Sequence, residues 1–337
     1  MTDEINREWI LDERPTGQPS MENFQLRERP IPDPEANEVL VRTRYLSVDP
    51  YMRGRMRDAH SYAEPWETGE PMRAGVVGEV VESNYEGLEA GDLVTGNLYW
   101  SEYAAVNGAI LDPVDTGEVP ISTALHVLGM PGFTAYVGMT EVGKVAPGDT
   151  VVISGAAGAV GSVAGQIARI AGCRVVGIAG SEEKTAWLTD ELGFDAAIDY
   201  RRADDLSAAV ADACPRGVDL YFENVGGEVS DAVLDHLNPF SRVAVCGKIS
   251  LYNLEPDDER MTGPRRLYQR TRTRVEGFIN SDYDHLSEQA TGRLRRWIEE
   301  GELRYEETVT EGIENAPDAF LGLFEGENIG KQLVELE

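Results

Sequence analysis

The sequence predicts an α/β protein in which a doubly wound parallel sheet is set between two stretches of a smaller, β-rich unit. Three observations carry this expectation. Strand-like and helix-like segments alternate from residue 150 to about 300, the pattern of βαβ units feeding a parallel sheet. A glycine-rich turn joins the first of those strands to its helix. Residues before about 124 and after about 304 read instead as short strands broken by turn residues. At roughly 150 residues per domain, a chain of 337 residues is expected to form about two.

Taken in order, EVLVRTRYLSV (38–48), AGVVGEVVES (74–83) and GDLVTG (91–96) have the β-branched content of strands, and Asp33–Asn37 is a polar turn ahead of the first. HVLGMPGFTAYVGMTEVGKV from residue 126 is helical in part, and Pro147-Gly148-Asp149 turns the chain into the strand TVVIS (150–154). Helices over 162–172 and 182–193, each ended by glycine, then frame strands at 173–180 and 196–200. Helix LSAAVADAC, strand 218–225, helix VSDAVLDHL and strand 241–247 continue the alternation, closed by strand 273–279 and helix LSEQATGRLRRWIEEG. RYEETVT and KQLVELE return to strand, so the tail is expected to rejoin the first unit: 1–124 with 304–337, and 125–303. The loops 54–72 and 253–267 have no pattern that places them.

With 60 acidic against 30 basic residues the net charge is −30, and only Lys144, Lys184, Lys248 and Lys331 are lysines. Such a surface repels phosphate backbones and anionic membranes, so neither is an expected partner. Acid excess with scarce lysine fits adaptation to a saline interior, that is, a halophilic protein. No apolar run nears the ~18 residues of a membrane span, and the start MTDEINREWI lacks a signal-peptide pattern; a cytoplasmic protein is expected. Cys173, Cys214 and Cys246 are too few and too scattered for a disulfide framework or a structural zinc site. The four histidines, His60, His126, His236 and His285, form no metal-ligand pair. No metal is expected.

After TVVIS comes Gly155-Ala156-Ala157-Gly158-Ala159-Val160-Gly161, which fits the dinucleotide fingerprint with Ala156 at the first glycine position. Gly158 lets the backbone approach a pyrophosphate, Gly161 lets the helix pack on the strand, and the first-turn amides face the phosphates. Sites for NAD place an acid at the tip of the second strand. Here that strand ends Ile178-Ala179-Gly180-Ser181, with Lys184 just beyond and Tyr200, Arg201 and Arg202 after the third strand. A missing acid beside cations suits a 2′-phosphate, hence NADPH.

LSVDPYMR (46–53), GMPGFTAY (129–136), SGAAGAVGS (154–162), GCRVVGIAGSEEK (172–184), LGFDAAIDY (192–200), VDLYFENVGG (218–227), RVAVCGKISLYN (242–253) and ENIGKQLV (327–334) together resemble the prostaglandin reductase (leukotriene B4 12-hydroxydehydrogenase) and curcumin reductase branch of the medium-chain dehydrogenase/reductases. The resemblance runs nearly end to end. It implies a GroES-like substrate domain, a Rossmann domain for NADPH, a homodimer and no zinc. It also implies reduction of the C=C bond of an α,β-unsaturated ketone or aldehyde. Matched position by position, the cofactor contacts are Gly158, Ala159, Val160 and Gly161; Lys184 and Tyr200 for the 2′-phosphate; Asn224; and Cys246, Gly247, Lys248, Ile249, Ser250, Leu251 and Tyr252 along the nicotinamide. Phe278, Ile279 and Asn280 follow the last Rossmann strand, and Asn328 comes from the other domain. Tyr51, Tyr99 and Trp100 fall where the family lines its substrate cleft.

Hydride addition to the β-carbon of such a substrate builds charge on its carbonyl oxygen, so the site needs a donor aimed there. Tyr252 and Tyr268 are the two candidates, each a neutral phenol at pH 7. A zinc alcohol dehydrogenase would need Cys and His ligands in the substrate domain, whereas the first cysteine is Cys173. A quinone oxidoreductase of the same superfamily and a non-catalytic NADPH-binding protein remain the alternatives. The physiological substrate is not written in the motifs.

Overall fold

The structure, a computed structural model, describes residues 5–59, 61–254 and 265–336. The chain opens with an antiparallel ribbon, β1 (Ile5–Leu11) and β2 (Phe24–Pro30). The β-rich unit follows: β3 (Glu38–Ser47), the single-turn α1 (Met52–Arg55), β4 (Arg73–Ser83), β5 (Leu93–Tyr99), β6 (Tyr103–Asn107) and β7 (Asp112–Pro113). Then α2 (Met130–Val137), with proline in its first turn, leads into the second unit.

There β8 (Thr150–Ser154), α3 (Ala159–Ile170), β9 (Arg174–Ala179), α4 (Glu182–Ala186), β10 (Ala196–Asp199), α5 (Leu206–Ala213), β11 (Val218–Glu223), α6 (Gly227–Leu234), β12 (Leu237–Val245), α7 (Arg265–Thr271), β13 (Arg274–Gly277) and α8 (Ser287–Glu299) alternate. All five strand pairings are parallel, in the order β10-β9-β8-β11-β12-β13. This is the Rossmann order, with its switch point between β8 and β11. All five residues of β8 are buried, as a strand covered on both faces requires.

The tail supplies β14 (Glu307–Glu311), α9 (Ala316–Glu325) and β15 (Lys331–Glu335). β15 pairs antiparallel with β3 and parallel with β14, which completes the sheet β14-β15-β3-β4-β5-β7 with β6 on β3. The doubly wound sheet is thus an insertion in the chain of a GroES-like unit. Each unit has its own core: Trp100, Phe320, Leu98 and Leu11 in one, and the two faces of β8 and β11 in the other.

The ribbon and α9 have no counterpart in the sequence reading, which takes RYEETVT and KQLVELE of the tail as strand and assigns no element between them. Helix α3 begins at Ala159, three residues before the expected 162, because the last three fingerprint residues already lie in its first turn. β12 begins at Leu237, ahead of the expected 241. Of the loop 253–267, residues 255–264 lie outside the described residues; in the loop 54–72, His60 does.

Candidate cofactor and active site

The turn after β8 and the start of α3 form a close-packed cradle. A Cβ on Gly161 would sit 2.3 Å from the carbonyl oxygen of Gly155 and 2.9 Å from the Cα of Ala156, so only glycine fits there. Gly158 caps α3, leaving Ala159, Val160 and Gly161 as its first-turn residues, whose N–H groups no residue of the helix itself accepts. The GroES-like unit reaches this turn directly: the Gly330 amide donates to the Ala157 carbonyl at 2.8 Å.

At the end of β9 the sequence expectation gains a steric reason. A Cβ on Gly180 would meet the ring of Tyr200 at 2.9 Å, so the place where an NAD site carries its acid is filled by an aromatic ring. Arg201 donates through Nε to the Tyr200 hydroxyl at 3.2 Å and stacks its guanidinium 5.7 Å from the same ring. Neither Lys184 nor Arg201 is ion-paired with a carboxylate among the described residues, although the chain has 60 acids. Burial first, then the nearby Arg201, lowers the Lys184 pKa. Two unpaired cations beside a ring are what a phosphate dianion requires.

The other end of the groove is the junction after β11 and β12. Glu223 is 3% exposed, and its Oε1 accepts from the Ser154 hydroxyl and from the amides of Val225 and Gly226, at 2.9, 2.8 and 2.9 Å. Asn224 Nδ2 donates to the Ser154 carbonyl at 2.7 Å. On this fixed turn sits the segment Cys246–Tyr252: the Cys246 and Gly247 amides donate to Glu223 O, Ile249 to Asn224 O, and Ser250 to Val225 O. Burial, with the Glu223 charge adding, pushes the Cys246 thiol up to about 12, so it is neither thiolate nor nucleophile at neutral pH.

Helix α1 and the bend that follows it hold the far side of that segment. Arg57 donates to the carbonyls of Tyr252, at 2.9 Å, and Leu254. Arg53, 1% exposed, donates to Asn253 Oδ1 at 3.1 Å and to Gly17 O at 2.7 Å. Neither arginine was legible as a tether; the only signal is LSVDPYMRGRMR, with cations on a turn that otherwise buries methionines. Tyr51 caps α1 and lines two clefts of about 460 and 610 Å³. Burial first, then the Asp49 charge, raises its pKa. In the smaller cleft Tyr51 faces Leu128, Gly129 and Met130 across the junction between the units.

The remaining candidates separate. Tyr252 folds its hydroxyl back to within 3.4 Å of the Lys248 amide. Tyr268 packs on the outer-face cluster and lines a small cavity of about 40 Å³ with Glu223, Gly247 and Lys248; burial, Asp231 and Glu223 raise its pKa. Phe278 stacks edge-on against Phe222 at 6.4 Å, and Ile279 and Asn280 follow it. Asn328 Nδ2 donates to Gly330 O at 2.7 Å, beside the phosphate turn. Tyr99 accepts from Arg73 at 2.7 Å in the larger cleft. Trp100 has no exposed surface: it packs between Trp66 and Phe320, so its place is the core and not the cleft wall.

A glycine cradle at a helix start, an unpaired cation pair in place of the ribose acid, and a cleft where two units meet define a two-domain, NADP-dependent oxidoreductase. Comparison with known proteins narrows the class. Residues 7–114 match the family described as N-terminal domain of oxidoreductase, and residues 159–294 the one described as zinc-binding dehydrogenase. The chain is 52% identical to the putative NADP-dependent oxidoreductase YfmJ of Bacillus subtilis (strain 168), over 97% of this chain and 96% of the relative. To the 2-alkenal reductase (NADP(+)-dependent) of Nicotiana tabacum it is 43% identical, over 99% and 98%. The crystal structure of CurA in complex with NADPH from Vibrio vulnificus superposes with a TM-score of 0.91 at 44% identity, over 98% and 99%. The chain belongs to the medium-chain dehydrogenase/reductases, in the zinc-independent branch of the prostaglandin, curcumin and alkenal reductases. Its cofactor is NADPH.

Proposed function

We propose that the protein reduces the C=C bond conjugated to a ketone or aldehyde. The observation that carries this is the junction itself. The segment Cys246–Tyr252 is held by Glu223 on one side and Arg57 on the other, and the thiol at its start is protonated. Among the described residues such a site offers hydrogen-bond donors to a developing oxyanion, and its thiol is not an ionised nucleophile. The likeness to an alkenal reductase over nearly the whole chain points the same way.

When bound, NADPH would supply the hydride that an enone accepts at its β-carbon, and solvent water would supply the proton that the resulting enolate takes up at its α-carbon. The chain's own residues bind and orient both partners. Amides of Gly158–Gly161 hold the pyrophosphate, Lys184 and Tyr200 take the 2′-phosphate, and Asn328 closes from the other domain. Asn224, Cys246–Tyr252 and Phe278–Asn280 shape the nicotinamide side. The Tyr252 hydroxyl donates to the substrate carbonyl oxygen, Tyr268 supports the segment from beneath, and Tyr51 with Tyr99 lines the substrate path. We further assign residues 1–124 and 304–337 to the substrate domain and 125–303 to the cofactor domain. The enzyme is a cytoplasmic homodimer adapted to salt; the exposed edge strand β13, with Val275 at 41% exposure, is the surface that pairs.

The test uses NADPH deuterated at the transferred position with a simple enone. Deuterium at the β-carbon of a saturated ketone is the expected product. An allylic alcohol that keeps its double bond would overturn the proposal.

A further inference from the structure

Lys184 and Arg201 also bind the other domain. Lys184 Nζ donates to the carbonyl of Gly326 at 2.6 Å, and Arg201 Nη2 to the carbonyl of Glu325 at 2.9 Å. These are the last carbonyls of α9, which ends with Gly326 in the left-handed region at φ 70°. The Gly326 and Glu327 amides close that helix on Leu323 O and Gly322 O, at 3.3 and 3.1 Å. A helix C-terminus carries roughly half a negative charge on its open carbonyls, so α9 aims its negative end at both cations. Four residues on, Gly330 is bonded to Ala157 in the phosphate turn. The link Gly326–Gly330 therefore touches the Rossmann domain at both phosphate-binding places.

We infer that the carbonyl end of α9 is the positioning element of the 2′-phosphate site, and that the phosphate in turn tightens this link between the domains. The reasoning rests on assigning Lys184 and Tyr200 to the 2′-phosphate. An ammonium has three donors and a guanidinium five, whereas the hydrogen bonds to α9 and Tyr200 use one of Lys184's and two of Arg201's. A phosphate thus adds to the carbonyl contacts and does not displace them. Without it, two like charges lie near each other; burial first, and then Arg201, lower the Lys184 pKa. A dianion removes that repulsion and strengthens the hold of both cations. By linkage, whatever factor the phosphate adds to domain contact, domain contact adds to phosphate affinity.

The probes are 2′,5′-ADP and 5′-AMP, which differ by the 2′-phosphate and carry no nicotinamide. Titration calorimetry measures their affinity, and hydrogen exchange follows the amides of 325–330. The expected result is slower exchange at Gly326 and Glu327 with 2′,5′-ADP and no change with 5′-AMP. Gly326→Ala leaves both cations in place, but strains the left-handed turn and sets a methyl 3.6 Å from Lys184 Nζ and 3.7 Å from Arg201 Nη2. It should weaken 2′,5′-ADP at least about fivefold, the low end of ordinary coupling, and leave 5′-AMP unchanged; unchanged 5′-AMP binding also certifies the fold. Arg201→Gln should abolish the exchange effect. If 2′,5′-ADP binds tighter than 5′-AMP and needs Lys184, yet exchange at 325–330 does not change or Gly326→Ala binds normally, the link is refuted and the cofactor assignment stands. If the two probes bind equally well, or Lys184→Ala has no effect on 2′,5′-ADP, the assignment beneath the inference fails.

Discussion

Replacing Lys331 with methionine should cost more stability at pH 7 than at pH 5, and the structure says by about how much. The Lys331 ammonium is 1% exposed and donates to Val48 O at 2.7 Å and Gln332 O at 2.9 Å, 3.1 Å from Asp49 Oδ1. Asp49 is itself buried, and its other partner is the Ser47 hydroxyl. Methionine fills most of the volume but leaves a carboxylate without its counter-charge, a loss of about 3–5 kcal/mol. The stranded carboxylate escapes by taking up a proton, which costs about 1.4 kcal/mol for each pH unit above the ordinary carboxylate range near 4. That route limits the charge penalty to about 4 kcal/mol at pH 7 and about 1.4 kcal/mol at pH 5. With an unfolding entropy of about 2.1 cal/mol/K per residue, the chain of 337 residues should lose about 4–6 °C at pH 7 and about 2 °C at pH 5. Differential scanning at fixed salt, with the variant compared with the native protein at each pH, reads the difference. A deficit under 1 °C, or one equal at both pH values, would refute the reasoning.

His126 is fully buried 3.5 Å from Glu307, with Lys331 and the Ala159 carbonyl also facing it, and burial lowers its pKa. Because the folded pKa lies below the unfolded value, the stability it contributes is present above about pH 6.5 and is lost as pH falls below that, by up to about 1.4 kcal/mol per unit. His126→Leu should flatten the acid limb of a Tm–pH profile; an unchanged slope between pH 6.5 and 5 would count against it. Tyr252→Phe should lower kcat by no more than the roughly 10²–10³ that a lost oxyanion donor costs, and Tyr268→Phe by less than tenfold; the reverse ranking in steady-state assays would exchange their roles. With a net charge of −30, the melting temperature should climb from low to molar salt as screening relieves self-repulsion; a flat or falling midpoint would exclude salt adaptation.

What the residues announced, and what they did not, follows from where each segment's constraints lie. Strands β3, β4, β8, β9 and β11 are largely buried apolar runs, and the Gly155–Gly161 turn has one use, so these read directly. β2 is FQLRERP, with one buried residue; its partner β1 makes it a strand, not its own pattern. Helix α9 was legible in principle, since Pro317 sits in its first turn and Gly326 ends it, but the flanking strands β14 and β15 set the reading of the tail. Trp100 shows the opposite limit. The family resemblance suggested a cleft for it, whereas just past the end of β5 its side chain is fully buried between Trp66 and Phe320. Lys184 and Tyr200 could be chosen by position, whereas the contact of Arg201 with α9 spans 124 residues of sequence and has no local signal.

The insertion of one unit within the other has a consequence for biosynthesis. The Tyr45–Ser47 end of β3 pairs with Leu333–Glu335 of β15, which leaves the ribosome about 200 residues after β7. At about 5–20 residues per second that end stays unpaired for some 10–40 s, long enough for the nascent Rossmann unit to fold first. During that interval the strand edge stays open, and loss of β15 would leave it open permanently. Residues of β15, far along the chain, are thus the ones that release an early strand from this exposure.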